Sequence, residues 1–348
     1  MSSDPSICVV GGGVAGLTLG IELRRQGVQV ELLEAGSYPR HRVCGEFISG
    51  AGTGILRQLG IYQQMLDAGG IEAETMRLYG QRHRSPVLPM PEAALCISRY
   101  RMDRIMADAY LSLGGVLRQG SRVTGKDALA REGMVMATGK RMGPHQNATH
   151  LGFKVHAQGL ELAADLELHF APGAYVGLCR IENGLVNVCG LVSERLAPRD
   201  LRYTWRSFIG SLLHPSCREA FDAAIMDTTS LCFSAGLHYG LKPVLNDQSL
   251  YIGDRSLSIP PLSGNGMSIG METSMMASRQ LIAFARGTRP WKDALGRIQK
   301  DYYRRFRSRL VWAGGLQSLM LPMRHNLLRE WTVACAKWHY RFLYRVTR

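Results

Sequence analysis

No uninterrupted run of about 18 apolar residues occurs in this chain, so a membrane-spanning helix is not expected. The eight cysteines, from Cys8 to Cys335, include no CxxC pair and no compact framework. That pattern points to a reduced, cytoplasmic chain rather than a disulfide scaffold, and no His/Cys spacing calls for zinc or any other metal. Ser2 to Ser6 carry no basic segment ahead of the first apolar stretch, so no signal peptide is expected. Internal repeats and low-complexity tracts are missing as well. Acids are the scarce charge, 28 Asp and Glu against 42 Lys and Arg. The imbalance concentrates between Lys300 and Arg348, where eleven basic residues face only Asp301 and Glu330. Such a patch attracts phosphate on a nucleic acid, a lipid or a cofactor, and charge alone does not choose among them. Since no nucleic-acid module accompanies it, a nucleic-acid partner is not expected.

What is present begins with "ICVVGGGVAGLTLGIELRRQGVQVELLEAG", residues 7–36. A short apolar strand leads to Gly11, Gly13 and Gly16 in the spacing GxGxxG, then to a helical pattern ending near Gly27 and a second strand ending at Glu34. The first glycine permits the tight turn, the second a close approach of backbone to pyrophosphate, and the third close packing of helix on sheet. The helix N-terminus then presents positive partial charge to the phosphates, and Glu34 is placed to accept hydrogen bonds from ribose hydroxyls. A carboxylate in that slot disfavours a 2′-phosphate, so FAD or NAD fits better than NADP.

Further along, a helix is expected over residues 52–70, strands over "ETMRLYG" and "SPVLPM", and a helix from Arg101 to Leu113 just after Arg99. Strands follow at Val116–Val123 and in "EGMVMATG"; from about Gly143 to Val192 the pattern alternates as in an antiparallel sheet. Helical spacing returns over Thr204–Ala224 and after Met267, with a strand at Leu250–Ile252 between. The fold class expected is therefore α/β: a doubly wound nucleotide-binding (Rossmann-like) domain, an inserted antiparallel-sheet substrate domain, and C-terminal helices; the resemblance described next makes the first of these an FAD-binding domain of GR2 type. Residues 1–60, 98–142 and 248–290 would form the first, 61–97 and 143–247 the second, and 291–348 a basic helical region.

Three blocks in order, "GGGVAG" with Glu34, "PRHRVCGEF" and "IGDRSLSIPPLSGNGMSIGMETS", resemble the flavoprotein group that includes geranylgeranyl reductases, para-hydroxybenzoate-hydroxylase-like monooxygenases and flavin halogenases. The resemblance implies FAD, held by Gly11, Gly13, Ala15, Gly16, Glu34, Ala35, Arg42, Cys44, Gly45, Arg99, Val123, Thr138 and Gly139. It adds Asp254, facing the ribityl chain, and the turn and helix start at Pro261, Gly264, Asn265, Gly266 and Met267.

Within the group, "RHRVCGE" resembles the RxKxCGG segment of geranylgeranyl reductases, with Arg42 for Lys and Glu46 for the second Gly. Tyr175 is kept from their substrate segment, while Gly177, Cys179 and Arg180 stand where Trp, Phe and Pro are expected, which reshapes the pocket; Tyr175 and Gly177 are the substrate-contact candidates. No WxWxIP segment is present, which argues against halogenation. The hydroxylases' GADG block is replaced by Ala137-Thr138-Gly139-Lys140, without its aspartate. Cys44 and Glu46 are the catalytic candidates: a thiol activated by Arg40 or Arg42, and a carboxylic acid that donates a proton when buried. Each has a plainer reading, a small turn residue and a solvated carboxylate. His156 and His169, spaced along the sheet pattern, read as structural.

The expected function is FAD-dependent reduction or dehydrogenation of a hydrophobic small molecule, an isoprenoid, polyketide or alkyl-aromatic, with NAD(P)H as reductant. The alternative is an NAD(P)H-dependent flavin monooxygenase hydroxylating a lipophilic or aromatic substrate; a further one is a non-catalytic flavin-binding docking protein. The Arg- and aromatic-rich stretch 300–348 reads either as helices capping the substrate domain or as a peripheral membrane contact.

Overall fold

The computed structural model describes residues 7–123, 131–139, 150–235, 240–241, 245–246, 249–258, 264–321 and 326–346. The first half runs β1 (Ile7–Val10), α1 (Val14–Arg25), β2 (Val30–Leu33), β3 (Phe47–Ile48), α2 (Ala51–Gln58), α3 (Tyr62–Asp67), β4 (Ile71–Tyr79), β5 (Leu88–Cys96), α4 (Arg99–Ser112), β6 (Val116–Arg118) and β7 (Met134–Met136). It continues with β8 (His150–Gln158), β9 (Leu166–Ala171), β10 (Ala174–Arg180), β11 (Leu185–Ser193), α5 (Leu201–Leu212), α6 (Pro215–Ala223) and β12 (Ile225–Ser234). Then come β13 (Gly240–Leu241), β14 (Leu245–Asn246), β15 (Ser249–Tyr251), β16 (Leu257–Ser258), α7 (Gly266–Ala285), α8 (Trp291–Met320), α9 (Asn326–Ala334) and α10 (Ala336–Val346).

Two sheets organise these elements. A six-stranded sheet has the order β14-β15-β7-β1-β2-β6 and is parallel except at β14. The order reverses about β1, which puts the β1–α1 turn at the topological switch point where α/β sheets bind ligands. Both faces of β1 are covered, so Ile7 to Val10 read as an unbroken apolar run. The second sheet, β12-β8-β11-β10-β9-β4-β5-β3, is antiparallel apart from the β4–β9 pair. Phe47 and Ile48 already pair with β5, so the chain crosses into this sheet directly after the Arg- and Cys-bearing loop.

One face of the second sheet packs on α5 and α6 around Phe153, Val188 and Phe221. Its other side packs Phe170, Tyr175 and Leu191 against Met320, Val333 and Tyr340 of the C-terminal helices. The largest cluster joins β1, α1, α4 and α7. There Ser274 Oγ donates to the Ala15 carbonyl at 2.8 Å, and Tyr302 of α8 donates to the Thr273 carbonyl at 2.6 Å.

Several local expectations shift. The single helix over 52–70 is two, because Gly60 takes a left-handed conformation, φ +76°, and ends the first. The strand from Val116 stops at Arg118, since Gly120 turns at φ +70° and its N–H bonds to the Gly36 carbonyl. α4 starts at Arg99 rather than Arg101: Ser98 Oγ accepts the Arg101 N–H at 3.1 Å and caps the helix two residues earlier. β12 was not foreseen, because "IMDTTSLCFS" is a largely polar edge strand without clean alternation.

Gly16 sits where a Cβ would lie 1.9 Å from the Gly11 carbonyl oxygen. Gly16→Ala is therefore expected to cost about 3 kcal/mol, the upper end of overpacking penalties, read as a lowered midpoint in urea denaturation.

Candidate flavin and substrate cavity

The β1–α1 turn sets the geometry of the site. Gly11 is at φ +109° with Ala137 backbone atoms packed where its Cβ would be, whereas a Cβ on Gly13 would meet nothing within 4 Å. Gly13 caps α1 without a side-chain hydrogen bond, and no acid lies in the first turn. α7 likewise starts behind Asn265 with no side-chain cap bond and no acid in its first turn. Both N-termini open onto one cavity of about 1020 Å³, at the top of the ~300–1,000 Å³ range of small-molecule sites.

Most of the expected cofactor residues line that cavity. Gly11, Gly13, Ala15, Glu34, Ala35 and Arg42 do so on the first βαβ unit, and Cys44, Gly45 and Arg99 on the next loop and helix. Val123, Thr138 and Gly139 border it on one side and Asp254, Gly264, Gly266 and Met267 on the other. Gly16 lies behind the turn as packing, and Asn265 is the buried cap residue of α7. Pro261 falls outside the described residues, as does Lys140. Tyr175 and Gly177 line the opposite end together with Met76, Leu78, Leu168, Phe170 and Leu191. Met320, His339, Tyr340 and Tyr344 close it, so α8 and α10 are walls of the cavity and not only a cap.

Glu34 is buried, and its Oε2 accepts the Gly12 N–H at 2.7 Å while Oε1 accepts the Gly36 N–H at 2.8 Å and Arg40 Nη1 at 2.7 Å. Burial alone would raise its pKa, but the Arg40 and backbone bonds outweigh that and hold it down at about 2. An ionised, pre-oriented carboxylate thus stands at the end of β2, where the sequence pattern expects a ribose acceptor. Arg40 keeps Nε and Nη2 buried with no partner among the described residues, donors facing a basic corner with Arg42. Tyr38, unremarked in the sequence, fastens this corner by donating its hydroxyl to the Gly12 carbonyl.

Arg99 does line the cavity, but its guanidinium is held by Asp103 on the same helix, Nε to Oδ1 at 2.7 Å and Nη2 to Oδ2 at 2.8 Å. Burial would lower its pKa; the Asp103 carboxylate reverses that and keeps it charged.

The two catalytic candidates, Cys44 and Glu46, sit in different surroundings. Cys44 lines the cavity with its Sγ 3.6 Å from Met267 Sδ, and burial pushes its thiol pKa up despite the nearby Arg99 charge. Burial thus disfavours the activated thiolate that the neighbouring arginines suggest. Glu46 is fully buried rather than solvated. Its Oε2 lies 2.7 Å from His156 Nε2, and its Oε1 lies 3.3 Å from Lys154 Nζ and accepts the Arg99 N–H at 2.9 Å. Burial raises its pKa, but His156 and Lys154 outweigh this and lower it, so it is a carboxylate and no proton donor at neutral pH. Its backbone takes φ +52°, a conformation a glycine adopts freely. The side-chain ion cluster thus holds a strained turn in place.

His41, unflagged in the sequence, lines the cavity and reaches Lys154 Nζ through Nδ1 at 3.0 Å; burial and then Lys154 lower its pKa. His169 is structural, as expected: its ring stacks on Tyr79 at 4.3 Å. Glu167, His169 and Cys217 bring three ligand atoms within 4.8 Å, a grouping invisible in sequence spacing. Yet His169 Nδ1 accepts the His214 N–H at 3.1 Å, which leaves the ring proton on Nε2 facing Glu167 at 3.3 Å. That tautomer pairs His169 with Glu167 and leaves its ring no free lone pair for a cation.

The donor set suits FAD: two uncapped helix N-termini, an open approach at Gly13, spare Arg40 N–H groups and an ionised Glu34. Comparison with known proteins agrees, since residues 4–149 match the family model of the FAD binding domain. The chain is 23% identical over 340 residues to conditioned medium factor receptor 1 of Dictyostelium discoideum, covering 79% of this chain but 63% of that protein's length. It is 24% identical over 321 residues to a menaquinone reductase of Mycobacterium tuberculosis, covering 81% of this chain and 78% of that protein. Among solved structures, the flavin-dependent brominase Bmp2 superposes with a TM-score of 0.78 at 17% identity, covering 99% of this chain and 93% of that one. The p-nitrophenol 4-monooxygenase PnpA of Pseudomonas putida superposes with a TM-score of 0.74 at 14% identity, covering 99% and 97%. The fold is thus that of flavin monooxygenases and halogenases, with FAD as the cofactor the matched domain supports. These similarities do not single out geranylgeranyl reductases.

Two substitutions separate binding from stability here. Gly13→Ala is expected to leave the urea midpoint nearly unchanged, because its Cβ meets no atom, while lowering FAD affinity at least tenfold in fluorescence titration. Glu46→Gln leaves Lys154 buried without its counter-charge and should cost about 3–5 kcal/mol at pH 7. Because Glu46's folded-state pKa is depressed, its contribution is present above the ordinary carboxylate range and is lost as pH falls through the folded value. Urea melts of both proteins should therefore converge toward low pH.

Proposed function

We propose that the chain is an FAD-dependent monooxygenase that hydroxylates a lipophilic, aromatic-containing small molecule, with NAD(P)H as electron donor. The observation that carries this reading is the division of one cavity into a polar, basic end and an apolar end. The glycine turn, Glu34 and the basic corner would hold the ADP portion, and the Asp254 turn with the N-terminus of α7 would hold the flavin portion. Bound FAD would supply two-electron redox chemistry and oxygen activation; the protein supplies position and exclusion of water.

The apolar end would seat the substrate between Leu78, Leu168, Phe170 and Leu191 on the sheet and Met320 and Tyr340 on the C-terminal helices. A chamber walled this way suits an aromatic ring with an aliphatic substituent and shields a reactive oxidant from water. Saturating a carbon-carbon double bond would require a proton as well as a hydride. Glu46 is held ionised and outside the cavity lining, and Cys44's thiol is made a poorer acid by burial, so neither sequence candidate is set to deliver that proton. This moves the balance from reduction to oxygenation, in agreement with the monooxygenase folds that the chain resembles.

The test is turnover of the FAD-loaded protein with NADH or NADPH and a long-chain alkylphenol under isotopically heavy oxygen gas. The expected product gains one heavy oxygen atom, the second leaving as water, with one equivalent of NAD(P)H consumed. Turnover that proceeds anaerobically on an isoprenoid quinone or polyene, with no oxygen in the product, would replace this reading by the reductase one that the mycobacterial relative represents.

A further inference from the structure

The C-terminal helices that close the apolar end carry a second, outward face. On α8, Tyr303, Arg307 and Val311 follow one another at intervals of four, with Trp312 beside them; all three apolar side chains are exposed. On α9, Leu327 is 85% exposed and Trp331 is also exposed. On α10, Trp338 is 84% exposed and Phe342, one turn on, is exposed as well. Ring contacts tie the three helices into one surface: Trp312 meets Phe342 edge-on at 5.6 Å, and Trp331 stacks on His339 at 6.4 Å. Solvated single apolar residues need no explanation, but a contiguous patch with several large aromatic residues marks a binding surface.

Lys337, Arg341 and Arg345 run at intervals of four along α10 beside the Trp338–Phe342 stripe. α10 therefore has a basic stripe, an exposed aromatic stripe and an inward side whose half-buried His339, Leu343 and Tyr344 and buried Tyr340 line the cavity. Basic residues flanking exposed Trp, Phe and Leu are the makeup of a helix lying in the interface of an anionic bilayer. No described helix is long and apolar enough to cross a membrane, so a surface contact is the form available.

We infer that the outer face of α8, α9 and α10 docks on the surface of an anionic lipid bilayer, which places the substrate end of the cavity against the lipid. The purpose of the contact, delivery of a lipophilic molecule past α10, rests on the function proposed above; the contact itself does not. A second copy of this chain is a poorer occupant, because a two-fold contact would set the Lys337–Arg341–Arg345 stripe against its own like charges. A nucleic acid would leave Leu327, Leu328 and Val311 without an apolar partner.

The test is co-sedimentation of the full-length FAD-loaded protein with vesicles of phosphatidylglycerol and phosphatidylcholine, or of phosphatidylcholine alone, alongside flavin content and light scattering. Binding to the anionic vesicles, weakened by salt, is expected. Each basic side chain near such a surface contributes about fivefold, so K337Q/R341Q/R345Q should weaken binding about 100-fold. W331A/W338A should weaken it on both vesicle types, and each variant should keep its flavin. Equal sedimentation of the variants and the unaltered protein, no sedimentation at all, or dimerisation lost in W331A/W338A would overturn the inference. A flavin-loaded protein that fails to bind vesicles overturns the docking alone, whereas vesicle binding by a protein that does not oxygenate overturns only the proposed reaction.

Discussion

A buried carboxylate in a left-handed turn ties the second sheet to the start of α4. Glu46 joins the arginine- and cysteine-bearing loop to β8 through Lys154 and His156, and to the start of α4 through the Arg99 N–H. Its own carbonyl accepts the Ile97 N–H, so backbone and side chain both fix the turn. Cys44 and Gly45, on the flavin-facing side of that turn, receive further bonds from Asn187 Nδ2 and Cys179 Sγ on the second sheet. Where the loop sits decides where Arg42, Cys44 and Gly45 stand relative to the glycine turn, and so the shape of the middle of the cavity. A strained backbone of this kind costs on the order of 1–3 kcal/mol and persists only where its surroundings over-determine it.

From that fixed middle, two chemistries extend in opposite directions. Toward β1, backbone N–H groups, Arg40 and an ionised Glu34 make a polar end with donors and a carboxylate. Toward β9 and β10, carbon-lined walls from the sheet and the C-terminal helices make a place for an apolar molecule. Both ends belong to one void, so whatever binds at the apolar end lies in line with what the glycine turn holds.

The nucleotide-binding half was legible because its signals are local. Glycines with distinct steric duties, a strand, a helix and a terminal acid occupy residues 7–36 and fold in the order they are read. The Asp254 turn and the start of α7 were legible in the same way. What escaped notice was non-local. Glu46 looked like a solvated loop acid because its partners are 108 and 110 residues away in the chain, and nothing near residue 46 announces Lys154 or His156. Adjacency of Cys44 to arginines in sequence says nothing of burial, which is the largest influence on its thiol and raises its pKa. The C-terminal helices showed their basic and aromatic character plainly, but not that Tyr340 and Met320 form the far wall of the cavity. That depends on α8 crossing to the second sheet.

The central claim is that the glycine-turn end of this cavity recognises the ADP portion of FAD and thereby sets the flavin at the mouth of an apolar chamber. Equilibrium fluorescence titration of the flavin-free protein with FAD, FMN and riboflavin tests it most directly. FAD binding at least a hundredfold tighter than either FMN or riboflavin is the predicted result. Equal affinity for the three would contradict the claim, because the Gly13 turn, Arg40 and Glu34 would then contribute nothing to holding the cofactor.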